Sequence, residues 1–321
     1  MDFLANYFGS LNPMSFLSAL PGNIAQGIIW GLMGLGVFLT FKLLNFADLS
    51  VDGSFATGGA VTAVMLINGC PVWATIIVAI LAGVAAGLVT GLLHTLLGIP
   101  DILAGILTQI ALYSINLNIM GKSNLPISYR NYTLVVSASN INMAILVGLG
   151  ICAVVVAAMY WYFGTEQGST IRSTGSNPAM SKAQGININF TKVIALALSN
   201  GLVALSGSLF AQYQGFADIN MGRGAIVIGL AAVIIGEVLG EAIFRKHMNF
   251  IIRMLFVIVG GILYYIAMGI VLWLKMPTDD TKLFTAIIVA IFLAVPYLQK
   301  KRKTSFKKVA KMNAKNAQKE G

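Results

Sequence analysis

The stretch GSFATGGAVTAVMLINGCPVWATIIVAILAGVAAGLVTGLLHTLLGIP, residues 53–100, contains no Asp, Glu, Lys or Arg. One helical bilayer crossing takes about 20 apolar residues, so this run is long enough for more than two. A membrane barrel would alternate polar and apolar residues along each strand, and this stretch does not. The rest of the chain keeps the same character. Of its 321 residues, 57% are hydrophobic and 10% charged, against roughly 25% charged in soluble domains. The sequence reads as an all-α polytopic membrane protein.

Working outward from that stretch, apolar spans are predicted at about 23–44, 53–67, 72–97, 102–120, 141–163, 190–212, 224–244, 250–274 and 283–298. This amounts to about nine transmembrane helices, in a range of 8–10, with the tenth arising if residues 3–20 also cross. Residues 1–22 have no basic leader and are interrupted by Asn6, Asn12, Pro13 and Pro21. They read as an interfacial or partly inserted segment, not as a signal peptide. The first span carries Gly27, Gly31 and Gly34, small residues at the spacing that lets helices approach closely in lipid.

The formal net charge of +10 is unevenly spread. Nine of the 21 Lys and Arg lie after Gln299 against one acid, Glu320, so the tail 299–321 carries +8 of it. That distribution marks a cytoplasmic end that meets anionic membrane lipid, and it argues against nucleic acid. Counting back from the tail puts the loops at 245–249 and 165–189 inside and those at 122–140 and 213–223 outside. Cys70 and Cys152 have no metal or redox spacing and read as packing residues.

Polar residues within the apolar chain are candidates for function. In LNFADLSVDGSFATGGAVTA, Leu44 to Ala63, Asp48 and Asp52 are four apart and would share one face of a helix. Gly53, Gly58 and Gly59 follow. Two readings stay open: a turn leading into an ordinary span, or an irregular helix beside a translocation path. Glu241 precedes Arg245 by four residues, the favourable order for an ion pair. Glu237 lies deeper and is costly against lipid, so it either bonds a neighbouring helix or gates a path. His94 reads as a hydrogen-bonded packing residue, and Asp218 and Arg223 as solvated residues of an outer loop.

The longest polar interruption is RSTGSNPAMSKAQGININ, Arg172 to Asn189. Pro178 suits a first helical turn, Asn177 or Ser176 suits its cap, and Gly185 suits its stop. The run Ala179 to Gln184 then makes one to two turns of helix. It is either a solvated linker or a short helix on which a partner docks. Enzymatic readings find no support. Gly121-Lys122-Ser123 lacks the earlier glycine of a phosphate loop, where Asn116 stands, and neither metal-ligand spacing nor a nucleophile elbow occurs.

Three segments, in the right order along the chain, resemble motifs of the permease subunits of ABC importers of the branched-chain amino acid and ribose type. STGSNPAMSKAQGIN resembles their cytoplasmic coupling segment, LNFADLSVDGSFATGGA their early motif, and LAAVIIGEVLG their later Ala-Ala-x-x-Ile-Gly-Gly motif. The likeness covers roughly residues 24–298 and is nearest to permeases for tryptophan, tyrosine and related solutes. Two departures stand out: Glu237 stands where many members have a second glycine, and Met180, Ser181 and Lys182 partly replace the alanines common in the coupling segment.

The resemblance implies a type II-like importer permease over 23–298, with a cytoplasmic coupling loop at 165–189. It implies ATPase coupling through Gly175, Asn177, Pro178, Ala179, Met180, Lys182, Gln184 and Gly185. It implies a translocation path or gate at Asn45, Asp48, Asp52, Gly58, Gly59 and Glu237. The implied partners are a separate ABC ATPase carrying ATP and Mg2+, an extracytoplasmic substrate-binding lipoprotein and a second permease copy in a bacterial plasma membrane. The chain itself would hold no cofactor. The alternative is a secondary transporter using Asp48, Asp52 and Glu237 as ion or proton sites, against which no inverted repeat of broken helices is evident in the sequence.

Overall fold

A computed structural model describes residues 13–129, 132–244 and 248–274, with residues 283, 284, 286–291 and 294 beyond them. Ten α-helices lie between residues 13 and 274, and the described residues of 283–294 are helical as well. Helix α1 spans Pro13–Val37 and passes directly into a π-helical segment, Phe38–Leu43. Then come α2 at Val51–Ile67, α3 at Val72–Thr95, α4 at Asp101–Met120 and α5 at Ile141–Phe163. They are followed by α6 at Glu166–Ser176, α7 at Pro178–Ala183, α8 at Ile188–Gln214, α9 at Ala225–Phe244 and α10 at Phe250–Trp273. Two short strands, β1 at Asn124–Pro126 and β2 at Phe216–Asp218, pair antiparallel at one end of the bundle.

Among the described residues, seven helices are long and apolar enough to cross a membrane, and α2 is a shorter apolar one. Their bounds follow the sequence reading closely, with two differences. The first helix begins at Pro13 and runs through Pro21, so residues 13–20 belong to the first span and form no crossing of their own. The polar loop 165–189 opens with α6, which was not expected. Its Ser, Thr and Gly content is weak for a helix, but tertiary contacts hold it. Thr165 caps it by accepting from the Gly168 N–H at 3.4 Å. Arg172 donates to the Phe163 carbonyl at 2.9 Å and lies 5.7 Å from the centre of the Phe250 ring. The segment before Pro13, the Arg245–Lys246–His247 loop, Arg130, much of the span at 283–298 and the basic tail lie outside the described residues.

Helices α1 and α8 form the buried axis and run in opposite directions. Ser199 Oγ donates to the Gly36 carbonyl at 2.8 Å, and Ser206 Oγ to the Ile29 carbonyl at 2.7 Å. Lipid tails are as apolar as leucine, so helices in a bilayer associate through close packing and interhelical hydrogen bonds. The sequence supplies bare stripes for this. Gly83, Gly87 and Gly91 of α3 lie against α8 at Asn200, Leu196 and Val193, while Gly27 and Gly31 of α1 lie against Ile262 and Ile258 of α10.

Helix α2 lies along α8 in the same sense. Ser54 bonds Asn200, Gly58 lies against Ala204, and Thr62 bonds Ser208. A Cβ added at Gly58 would fall on the backbone carbonyl of Ala204. Gly58→Val is therefore expected to push the two helices apart and destabilise the fold by about 3 kcal/mol. The midpoint of thermal unfolding in detergent measures this. An unchanged midpoint would mean that α2 does not pack on α8 through this stripe.

Candidate functional site

Two breaks in the helices define the middle of the bundle. The first follows the π-helical segment. Residues 44–48 are non-helical, Asn45 takes φ 55 and is exposed, and Leu49 and Ser50 turn into α2. Leu43 lies at the bundle end that carries α6, because Gly175 of α6 packs on its carbonyl. Ser50 and Ser54 instead meet Asn200, which is twelve residues into a helix starting at 188. At 1.5 Å per residue that is roughly 18 Å along the axis. The chain therefore re-enters the bundle between residues 44 and 50, and α2 starts near its middle.

Such a break leaves polar groups that lipid cannot satisfy, so they must be bonded within the protein. Asp48 supplies the bonds here. It is 2% exposed, and its Oδ1 accepts from both the N–H and the Oγ of Ser50, at 2.9 and 2.5 Å. Its Oδ2 accepts from Asn200 Nδ2 at 2.7 Å. Asn200 Oδ1 in turn accepts from Ser54 Oγ at 2.6 Å. Asp48 thus ties the break to α8. Ser50, Ser54 and Asn200 were missed in the sequence reading; the one available signal was the polar pair Ser199-Asn200 inside an apolar span.

The second break lies between β2 and α9. There Asp52, in the first turn of α2, accepts from the N–H groups of Gly224 at 2.9 Å and Ile226 at 2.8 Å. A carboxylate at a helix start satisfies unpaired N–H groups and complements the helix dipole. Asp48 and Asp52 therefore do not share a helix face, because Asp48 precedes the helix. Each fixes a different junction. Gly222 rests on the Asp52 carbonyl, and Gly59 rests on Met221.

Both halves of the chain hence have the same plan: a long central helix, a break, a helix starting inside the bundle, and a third helix clasping the other half's axis. Because α1 and α8 run oppositely, the halves are inverted relative to one another. The sequence reading, which found no inverted repeat of broken helices, is corrected here. Residues that form the breaks lie far apart in sequence, and only the fold shows their equivalence.

Glu237 sits apart from these junctions. Lys42 Nζ approaches its Oε2 at 2.8 Å and Arg253 its Oε1 at 3.6 Å, joining the π-helical segment, α9 and α10. Glu241 faced the question of pairing with Arg245, which lies outside the described residues. Because Lys42 and Arg253 remain 42% and 38% exposed, Glu237→Gln is expected to cost about 1 kcal/mol. A transport defect with unaltered unfolding midpoint would instead assign Glu237 to gating. His94 bonds the Ile99 carbonyl at 2.8 Å and Lys192 at 2.9 Å, as a packing histidine should.

Helix α7 projects from the α6 end. The Asn177 side chain caps it, accepting from the Met180 N–H at 3.0 Å; Pro178 is at the first turn, and Gly185 ends it at φ 81. Asn177, Pro178, Ala179, Met180, Lys182 and Gln184 are exposed, and only Ser181 is buried, its Oγ bonded to the Asn177 carbonyl. Gly175 stands apart from these: it is in α6 and anchors it to the break at Leu43.

The family model for "Branched-chain amino acid transport system / permease component" matches residues 22–296. The chain belongs to this family. It is thus an ABC-type permease, a multi-pass membrane transport subunit. It is 42% identical to the tyrosine transport system permease protein of Clostridioides difficile (strain R20291), over 93% of this chain and 99% of that one. It is 27% identical to the D-allose transport system permease protein AlsC of Escherichia coli (strain K12), over 80% and 77%. Among solved structures, a chain of PsaBC from Streptococcus pneumoniae in complex with Fab superposes with a TM-score of 0.51 at 16% identity, covering 91% of this permease and 94% of that chain. That likeness concerns the fold alone.

Proposed function

We propose that this permease is the membrane subunit of an importer for tyrosine or a closely related amino acid, driven by a separate ATPase that docks on α7. The observation that carries the reading is α7 itself. It is a capped, exposed helix of six residues, tethered through α6 to the break that α2 starts from. A rigid element of this kind transmits displacement to the middle of the bundle, whereas a loose loop would not. The name of the tyrosine permease relative supports the solute class. In this reading two copies pair around one path in the bacterial plasma membrane, with α7 and the basic tail cytoplasmic. An extracytoplasmic lipoprotein delivers the solute, and ATP and Mg2+ stay on the ATPase.

Purification from native membranes in mild detergent tests the assembly, with an ATPase and a lipoprotein expected among the bound subunits. Uptake of labelled tyrosine by energised vesicles tests the drive. It is expected to stop with vanadate and to survive a proton uncoupler. The opposite pattern, with the permease recovered alone, would instead support an ion-gradient-driven carrier using the buried carboxylates.

A further inference from the structure

Helix α4 carries a polar face whose buried member has no partner among the described residues. Gln109, Tyr113 and Asn116 recur at the four- and three-residue spacing of a single helix face. Asn116 is 1% exposed, yet neither atom of its amide has a hydrogen-bond partner among the described residues. A buried amide without a partner is costly and calls for one. The stripe walls a half-open cavity of about 330 Å³, bordered also by Asp52 and by the turn carrying Asn220 and Arg223. That volume lies at the small end of the range for ligand sites. The Asp52 carboxylate is already occupied by the α9 N–H groups. Arg223 is exposed and makes no ion pair among the described residues. The cavity therefore presents one cation, free amides and a phenol between two helix junctions.

The geometry points to a recognition site in this cavity for a single carboxylate-bearing amino acid. Arg223 takes the carboxylate, the amides of Asn116 and Gln109 take its remaining polar groups, and Tyr113 lies against its side chain. This inference rests on the amino-acid importer reading. It deepens that reading by making the permease, and not only a delivery protein, select the solute. A guanidinium holds a carboxylate through two charge-assisted hydrogen bonds and has no equal hold on a carboxamide, which sets the test.

In the full-length chain, Cys70→Ser with Asn220→Cys leaves a reporter thiol on the cavity rim, since Cys152 is buried. Membranes opened to both sides are labelled with a polar thiol reagent, alone or with millimolar L-tyrosine or tyrosinamide. L-Tyrosine is expected to slow labelling at least threefold, tyrosinamide to have no effect, and Arg223→Gln to abolish the protection. Asn116→Leu, matched in size, is expected to weaken it. Equal protection by tyrosinamide would overturn carboxylate recognition. So would a reporter that resists labelling from the start and cross-links to a second copy, because the cavity would then be filled by protein. Sealed vesicles of the same preparation are assayed for ATP-driven tyrosine uptake. Uptake without protection would overturn the site and leave the importer reading standing; absence of both would remove the two together.

Discussion

Replacing Pro178–Gln184 with a Gly/Ser linker of equal length is expected to reduce ATP-driven uptake to background, a loss of at least 100-fold, and to release the ATPase during purification. The thermal midpoint of the permease is expected to hold, because the α7 side chains other than Ser181 are exposed and support nothing else. A graded variant sharpens the test. An isolated helix of this length does not persist in water, since nucleation is costly and few bonds follow it. The Asn177 cap therefore matters more here than in a long helix. Asn177→Ala is expected to cost about 1 kcal/mol of helix formation and several-fold in uptake, and Asn177→Asp to restore most of it. Undiminished uptake with the linker would end the coupling role assigned to α7.

The second large effect is expected at Asn200. Its amide donates to Asp48 and to the Leu196 carbonyl, and its oxygen accepts from Ser54. Asn200→Leu removes the donor facing Asp48 Oδ2 and leaves that buried oxygen unpaired, while Ser50 still serves Oδ1. Losing one such buried partner costs about 1–3 kcal/mol, and more where the group left behind is charged, a large share of the stability of a typical domain. Replacing both partners by apolar side chains avoids the unpaired buried oxygen. Asp48→Leu combined with Asn200→Leu is accordingly expected to be more stable than Asn200→Leu alone. Unfolding midpoints of the two single variants and the double variant decide it. Simple additivity would show that the Asp48–Asn200 contact does not hold the break to α8.

How much was readable in advance differs by element. The bounds of α3, α4 and α5 followed from hydropathy because each is a continuous apolar run ended by Pro, Gly or polar residues. The capped α7 was legible because Asn-Pro at its start and Gly at its end act locally, through one side-chain bond and one backbone conformation. Helix α6 was not, because Thr, Ser and Gly resist a helix until Arg172 and Gly175 dock on elements from three other parts of the chain.

The candidate site shows the same division. Asp48, Asp52 and Glu237 were marked because a carboxylate in an apolar span needs a partner, which is a property of one residue and its medium. The partners themselves lie up to 195 positions away: Asn200 for Asp48, the start of α9 for Asp52, Lys42 and Arg253 for Glu237. By itself the sequence determined that the chain crosses a membrane many times, where most helices begin and end, and that it presents a short capped helix. Those outcomes depend on local hydrophobicity and backbone preference. Only the tertiary structure decided that α2 and α9 start inside the bundle and that the two halves are inverted. It also decided that Gln109, Asn116 and Arg223 surround one cavity. Each of these depends on which distant backbone a glycine stripe or a buried carboxylate meets.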